Sequence, residues 1–219
     1  MKASEILKTI HRRYEGDTNY PTSGEDFDLR LGFINDAILT WANNENTRWR
    51  ELITKKTGTT DGTNQIACPP DFVDIMSQVK IGGSVFEFKK PDLARRLLMS
   101  ESKGRFFFIS DASGSYKINI NPTPDSNLPY EYYYYKTAPQ VSSGNDEVIV
   151  PKPMYVVYSV LSSLYEQDNN TVLASVYEKR ANDILADMIA QNEAVGGLTS
   201  NSILNDDVDY QLYADKLGD

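Results

Sequence analysis

Residues 26–53 read DFDLRLGFINDAILTWANNENTRWRELI, and their spacing decides the fold class. Phe27, Leu31, Ile34, Ile38 and Trp41 recur at alternating steps of four and three, which lines them along one face of an amphipathic helix. Trp49, Leu52 and Ile53 resume a similar face after the polar Asn43-Asn44-Glu45-Asn46 break. The pattern predicts a long helix, kinked at that break and ending before Gly58. No residue type in the stripe announces chemistry, so it reads as scaffold that docks on other helices.

On its N-terminal side, Leu7, Ile10 and Tyr14 behind Ser4 predict a short capped helix that stops near Gly16. On the other side, residues 57–64 (TGTTDGTN) are turn chemistry and are expected to be exposed. From Gln65 the character changes to strands. Ile66 and Cys68 read as a brief strand, and Pro69-Pro70-Asp71-Phe72 as a proline-led turn of helix reaching Met76. Val79 and Ile81, then Val85, Phe86 and Phe88, form a hairpin across Gly82-Gly83. Pro91 opens a short helix reaching Met99. Residues 105–110 (RFFFIS), 116–120 (YKINI) and 130–136 (YEYYYYK) are further strands, and residues 145–150 a last short one. Pro151-Lys152-Pro153 then begins a helix with Tyr155, Tyr158, Leu161 and Leu164 on its apolar side. After the Asp168-Asn169-Asn170 turn, Leu173, Val176, Tyr177, Ala181, Ile184, Leu185, Met188 and Ile189 repeat at helical spacing, so the two helices form a hairpin.

The fold class expected is therefore α+β. Residues 1–64 and 151–197 form a helical bundle, residues 65–150 an inserted antiparallel β-rich domain, and residues 198–219 a C-terminal arm. From Asn201 onward the arm carries five aspartates against one lysine, yet keeps Ile203, Leu204, Val208, Tyr210, Leu212, Tyr213 and Leu217. A free tail rarely retains so many apolar residues. The arm is expected to order against a partner or a neighbouring copy, with a short intramolecular helix as the alternative.

Charge and motif content narrow the function. Thirty-one acidic residues against 22 basic give a formal charge of −9. That argues against a nucleic-acid clamp, which needs a basic surface to displace counterions, but allows DNA to pass along an acidic wall. Cys68, the single cysteine, excludes an intrachain disulfide and reads as a buried thiol beside Pro69-Pro70. His11, the single histidine, reads as a surface or helix-packing residue. No secretory leader is expected at the N-terminus, where Lys8, His11, Arg12 and Arg13 interrupt any apolar run. No apolar run approaches the ~20 residues of a membrane span. Assembly in a reducing cytoplasm is the expectation.

No P-loop, HExxH or GxSxG is present, and no catalytic, cofactor or metal site is predicted. Glu25, Asp26 and Asp28 offset a helix dipole; Asp206, Asp207 and Asp209 lack the glycine and distal glutamate of a calcium loop. Tyr130, Tyr132 and Tyr134 alternate with Tyr133 and Tyr135 on the two faces of one strand. Such rows serve a core or a subunit interface, or else a platform for sugars or bases.

The stretches LRLGFINDAILTWAN, PPDFVDIM, YEYYYYK, DEVIVPKPMYVVYSVLSSLYE and ASVYEKRANDILADMIAQN, in this order and spacing, resemble the head–tail adaptor proteins of tailed bacteriophages. That family includes the tail tubular protein A of short-tailed phages. The resemblance implies a helical bundle with an inserted β-domain, assembled as a dodecameric ring beneath the portal and around the DNA channel. It also implies portal protein above and a tail nozzle or tube protein below as partners, with genome DNA passing through unread. The expected assembly interface comprises Ile203, Leu204, Tyr210, Leu212 and Tyr213 of the arm with Tyr132 and Tyr134. A carbohydrate- or receptor-binding module built on residues 130–135 is the alternative.

Overall fold

The computed structural model describes residues 1–17, 19–44, 47–100, 104–112 and 114–194. Among them are five α-helices, α1 (Ala3–Tyr14), α2 (Glu25–Ala42), α3 (Pro91–Met99), α4 (Pro153–Gln167) and α5 (Thr171–Ala194). Eight strands lie between α2 and α4: β1 (Ile53–Asp61), β2 (Gln65–Ala67), β3 (Phe72–Ile75), β4 (Val79–Ile81), β5 (Ser84–Phe88), β6 (Phe106–Ala112), β7 (Ser115–Asn121) and β8 (Ser126–Lys136). The chain is mixed α and β, in two compact units: residues 1–51 with 138–194, and Leu52–Thr137.

In the helical unit α4 is the hub, because α1, α2 and α5 all pack on it. Its Val156, Val157, Val160 and Leu161 are fully buried, which a helix contacted on several sides requires. The stripe of α2 behaves as its period predicts: Leu31, Ile34, Ile38 and Trp41 are buried, while Phe27 at its start is half-buried. The helix does not resume after the asparagine break. It ends at Ala42; Trp49 is buried from non-α backbone, and Leu52, where the second unit begins, is buried within a single 3-10 turn. Local competition explains the stop, since Asn44 Oδ1 accepts from the Thr47 hydroxyl at 3.0 Å and polar side chains of this kind offer the backbone alternatives to a helix. The Trp49 indole donates to the Trp41 carbonyl at 2.7 Å and the two rings lie 5.0 Å apart, so the buried face continues through side chains. Helix α1 begins two residues earlier than the Ser4 cap suggests. Glu5 Oε2 accepts the Lys2 backbone N–H at 3.0 Å instead.

The β-rich unit is one sheet of eight strands, ordered β1-β8-β4-β5-β6-β7-β2, with β3 also on β8. Its terminal strands β1 and β2 are joined by the short turn at Gly62, so the sheet curls into a near-barrel. Ile66, Phe72, Val79, Phe86, Phe107, Ile118 and Tyr132 meet inside it. Residues 57–64 are not all turn, because β1 extends to Asp61 and pairs with β8 from Ile53↔Tyr135 onward. Its threonines are β-branched and suit a pleated, half-buried surface once a partner is supplied. The proline-led helical turn is likewise a strand, β3, with Phe72 and Ile75 inward and Val73 outward. Residues 145–150 contribute an isolated bridge, Lys2↔Glu147, because the N-terminal partner turns into α1 after two residues. One strand pair departs from the antiparallel expectation: β5 and β6 are parallel, and α3 is the crossover that such a pair needs. The β4–β5 hairpin turns as predicted, with Gly82 at φ 55° and Gly83 at φ 81°, a conformation that favours glycine at both positions.

Candidate assembly surfaces

The tyrosines of β8 form an interior ladder. Tyr130 and Tyr132 stack at 6.2 Å, Tyr132 and Tyr134 lie 6.1 Å apart, and Tyr134 stacks on Phe72 at 5.8 Å. Tyr132 is 1% exposed and Tyr134 6%, so both rings belong to the core of their unit. The Tyr134 hydroxyl donates to Asp71 Oδ1 at 3.0 Å. The Tyr132 hydroxyl meets no N or O partner among the described residues and lies against the Cys68 thiol. Burial drives the Tyr132 phenol far up, the Tyr134 phenol up to about 12 with help from Asp71, and the Cys68 thiol up to about 11. Cys68 is thus held as a thiol, the state least suited to a nucleophile. Opposite the ladder sits Gly58, where an added Cβ would fall 2.5 Å from the Tyr130 ring. A larger residue there would displace that rung.

A second polar-aromatic system runs through the helical unit. Arg30, buried in α2, donates to His11 Nδ1 at 2.9 Å and to Glu15 Oε1 at 2.9 Å. With Nδ1 accepting, the imidazole proton sits on Nε2, which donates to Asp17 Oδ1 at 2.8 Å. The backbone N–H of Asn19 and then His11 hold the Asp17 carboxyl below its ordinary value. His11 is therefore a packing residue between helices rather than a surface one. Tyr14 donates to Asp168 and meets Tyr165 edge-on at 5.2 Å; Tyr165 stacks on Tyr177 at 5.5 Å. These contacts fasten the α4–α5 hairpin to α1.

Three surfaces remain open to partners. Helix α5 buries a narrow seam, Ala174, Ala181 and Met188, spaced seven apart as in a two-helix coiled contact. Its first turns leave Val172 (72% exposed), Leu173 and Val176 on the outside. Between α2 and α5, over the serines of α4, lies a polar groove of about 470 Å³ lined by Asp36, Ser159, Ser163, Glu166 and Glu178. Helix α3 turns Ala94 and Leu97 inward and leaves Leu93, Leu98 and Met99 (87% exposed) outside. The arm residues Ile203, Leu204, Tyr210, Leu212 and Tyr213 lie outside the described residues. Sequence periodicity missed the α3 and α5 patches, since it counts every apolar residue of an amphipathic helix as core. The available signal was that Met99 falls on the side opposite the Ala94–Leu97 face.

Among the described residues no group of three or more His, Cys, Asp or Glu is placed to hold a metal, and no helix is long and apolar enough to cross a membrane. No curated protein matches the chain. The sequence model of the SU10 adaptor protein family matches residues 1–202, which bears out the resemblance to bacteriophage head–tail adaptors. The chain belongs to the SU10 adaptor protein family.

Proposed function

We propose that this phage adaptor works as a non-enzymatic ring, twelve-fold as the family resemblance implies, that joins the portal to the tail and surrounds the DNA channel. In this reading the N- and C-terminal helices form the bundle and the strands the inserted domain. The portal protein and a tail nozzle or tube protein are its neighbours, the virion is its location, and the host cytoplasm is where it assembles. The family match over residues 1–202 carries the proposal. The aliphatic patch Val172, Leu173 and Val176 supports it. Water-exposed valines and leucines grouped on one helix end are a contact surface waiting for apolar cover. A ring needs two unlike patches per copy, and a patch on a helix end meets that requirement from one side. The acidic balance of −9 suits a channel that must not hold passing DNA. The sugar-binding alternative draws no support from β8, whose Tyr132 and Tyr134 rings are core.

Mass photometry of the protein with its portal tests the reading, with a ring on the portal as the expected species. Val172→Asp combined with Val176→Asp should abolish that species. The same pair should change unfolding free energy by no more than about 0.5 kcal/mol, because both side chains are exposed. A wild-type chain that never joins portal under any assembly condition would overturn the proposal.

A further inference from the structure

We propose that segment 203–217 of one copy docks on the outer face of α3 in the next copy, and that this pair is a head-to-tail contact of the ring beside the α5 patch; the inference rests on the ring reading above. Helix α3 is the first half of the contact. At ~100° per residue, Ala94 and Leu97 face β6, Leu93 and Leu98 flank that face, and Met99 points outward between Arg95 and Arg96. Both arginines are exposed, and Met99 is 87% exposed. The surrounding sequence is locally basic within an acidic protein, with six basic against two acidic side chains from Lys89 to Arg105. A bare methionine flanked by two guanidinium groups, with the Asp92 carboxylate on the same side two turns earlier, is an adaptable apolar contact on a net basic face.

The arm is the second half. From Asn201 onward it carries five aspartates against one lysine, interleaved with Ile203, Leu204, Val208, Tyr210, Leu212 and Tyr213. It is the reverse of α3 in charge and alike in apolar content, which is the complementarity that selects one partner over others. Phosphates would satisfy Arg95 and Arg96 but leave Leu93, Leu98 and Met99 wet. The 25 residues after Ala194 reach up to ~3.5 Å each when extended, so the chain is long enough to cross to a neighbour. Two unlike, complementary patches on every copy form a heterologous interface, the kind that closes rings.

The test places a photo-crosslinking amino acid at Met99 in full-length chain, mixes ¹⁵N-labelled with unlabelled copies, and assembles rings on portal. The expected product joins α3 to a peptide within 203–217, with mixed isotope pairs. Arg95→Glu with Arg96→Glu should cut that product about tenfold or more, and adding Asp206→Lys with Asp207→Lys should restore it. Rings whose Met99 crosslinks only within one copy, to portal, to DNA or to any other segment overturn this contact and leave the adaptor ring standing. Failure of the charge swap to restore the product also overturns it. Absence of rings in every condition overturns both.

Discussion

Arg30 shows how a single residue can hold two helices in register. It is buried on α2 and serves two acceptors at once, His11 Nδ1 and Glu15 Oε1, each at 2.9 Å. Removing it leaves His11 without the donor that fixes its tautomer, and leaves Glu15 without its cation. Partial exposure of Glu15 softens the loss, so Arg30→Ala should cost about 2–3 kcal/mol rather than the full penalty of a stranded buried charge. Arg30→Lys should recover only part of that, because an ammonium lacks the planar fork that reaches both acceptors. Urea unfolding followed by tryptophan fluorescence measures both, since Trp41 and Trp49 are buried against each other in the same unit. Equal stability of the Lys and Arg proteins would show that charge, not fork geometry, is what this site needs. None of this was legible from the sequence, where Arg30 interrupts an apolar stripe and His11 lies 19 positions away. Periodicity finds faces; it does not find which polar residue crosses from one face to another.

At the scale of elements, β8 organises the sheet as α4 organises the helices. It pairs with β1, β3 and β4, and its alternation sends Tyr130, Tyr132 and Tyr134 inward. The two buried hydroxyls have different fates, which separates hydrogen bonding from packing. Tyr134→Phe removes a bond to Asp71 and should cost about 0.5–1.5 kcal/mol. Tyr132→Phe removes a hydroxyl that has no N or O partner among the described residues and lies against a thiol, so it should be neutral to within about 0.5 kcal/mol, or stabilising. Parallel urea melts decide between them, and equal losses would mean that the Tyr132–Cys68 contact is a true bond. The tyrosine alternation was readable in advance because period two needs no partner to be seen. Strands β1 and β3 were not, since what makes them strands is a partner some 75 and 60 positions later. The threonines and glycine of β1, and the Pro69-Pro70 pair just before β3, have turn character until that pairing is made. Helices α2, α4 and α5 were readable because their period is local, whereas the exposed turns of α5 and α3 were not.

The chain crosses between its two units at Glu51–Leu52 and again at Thr137–Ala138, so the units differ in how they depend on connectivity. All strands of the sheet, and every residue of its apolar cluster from Ile66 to Tyr134, lie in one uninterrupted stretch. An excised fragment 52–137 therefore keeps its whole core and should fold alone, with near-UV circular dichroism from the Tyr130–Tyr132–Tyr134 ladder and a cooperative urea transition. The helical unit has no such stretch. Helices α1 and α2 pack on α4, whose fully buried Val156, Val157, Val160 and Leu161 come from the far side of the β-rich segment. Fragment 1–51 should consequently be unfolded by far-UV circular dichroism, and should gain helix only when fragment 138–194 is added. Helices this short are marginal in water without tertiary cover, so the gain should be large and saturable. An unfolded 52–137 would mean that the sheet borrows stability from the helices. A helical 1–51 on its own would mean that the α2 stripe finds its cover within the first half of the chain, and α4 would lose its place as hub.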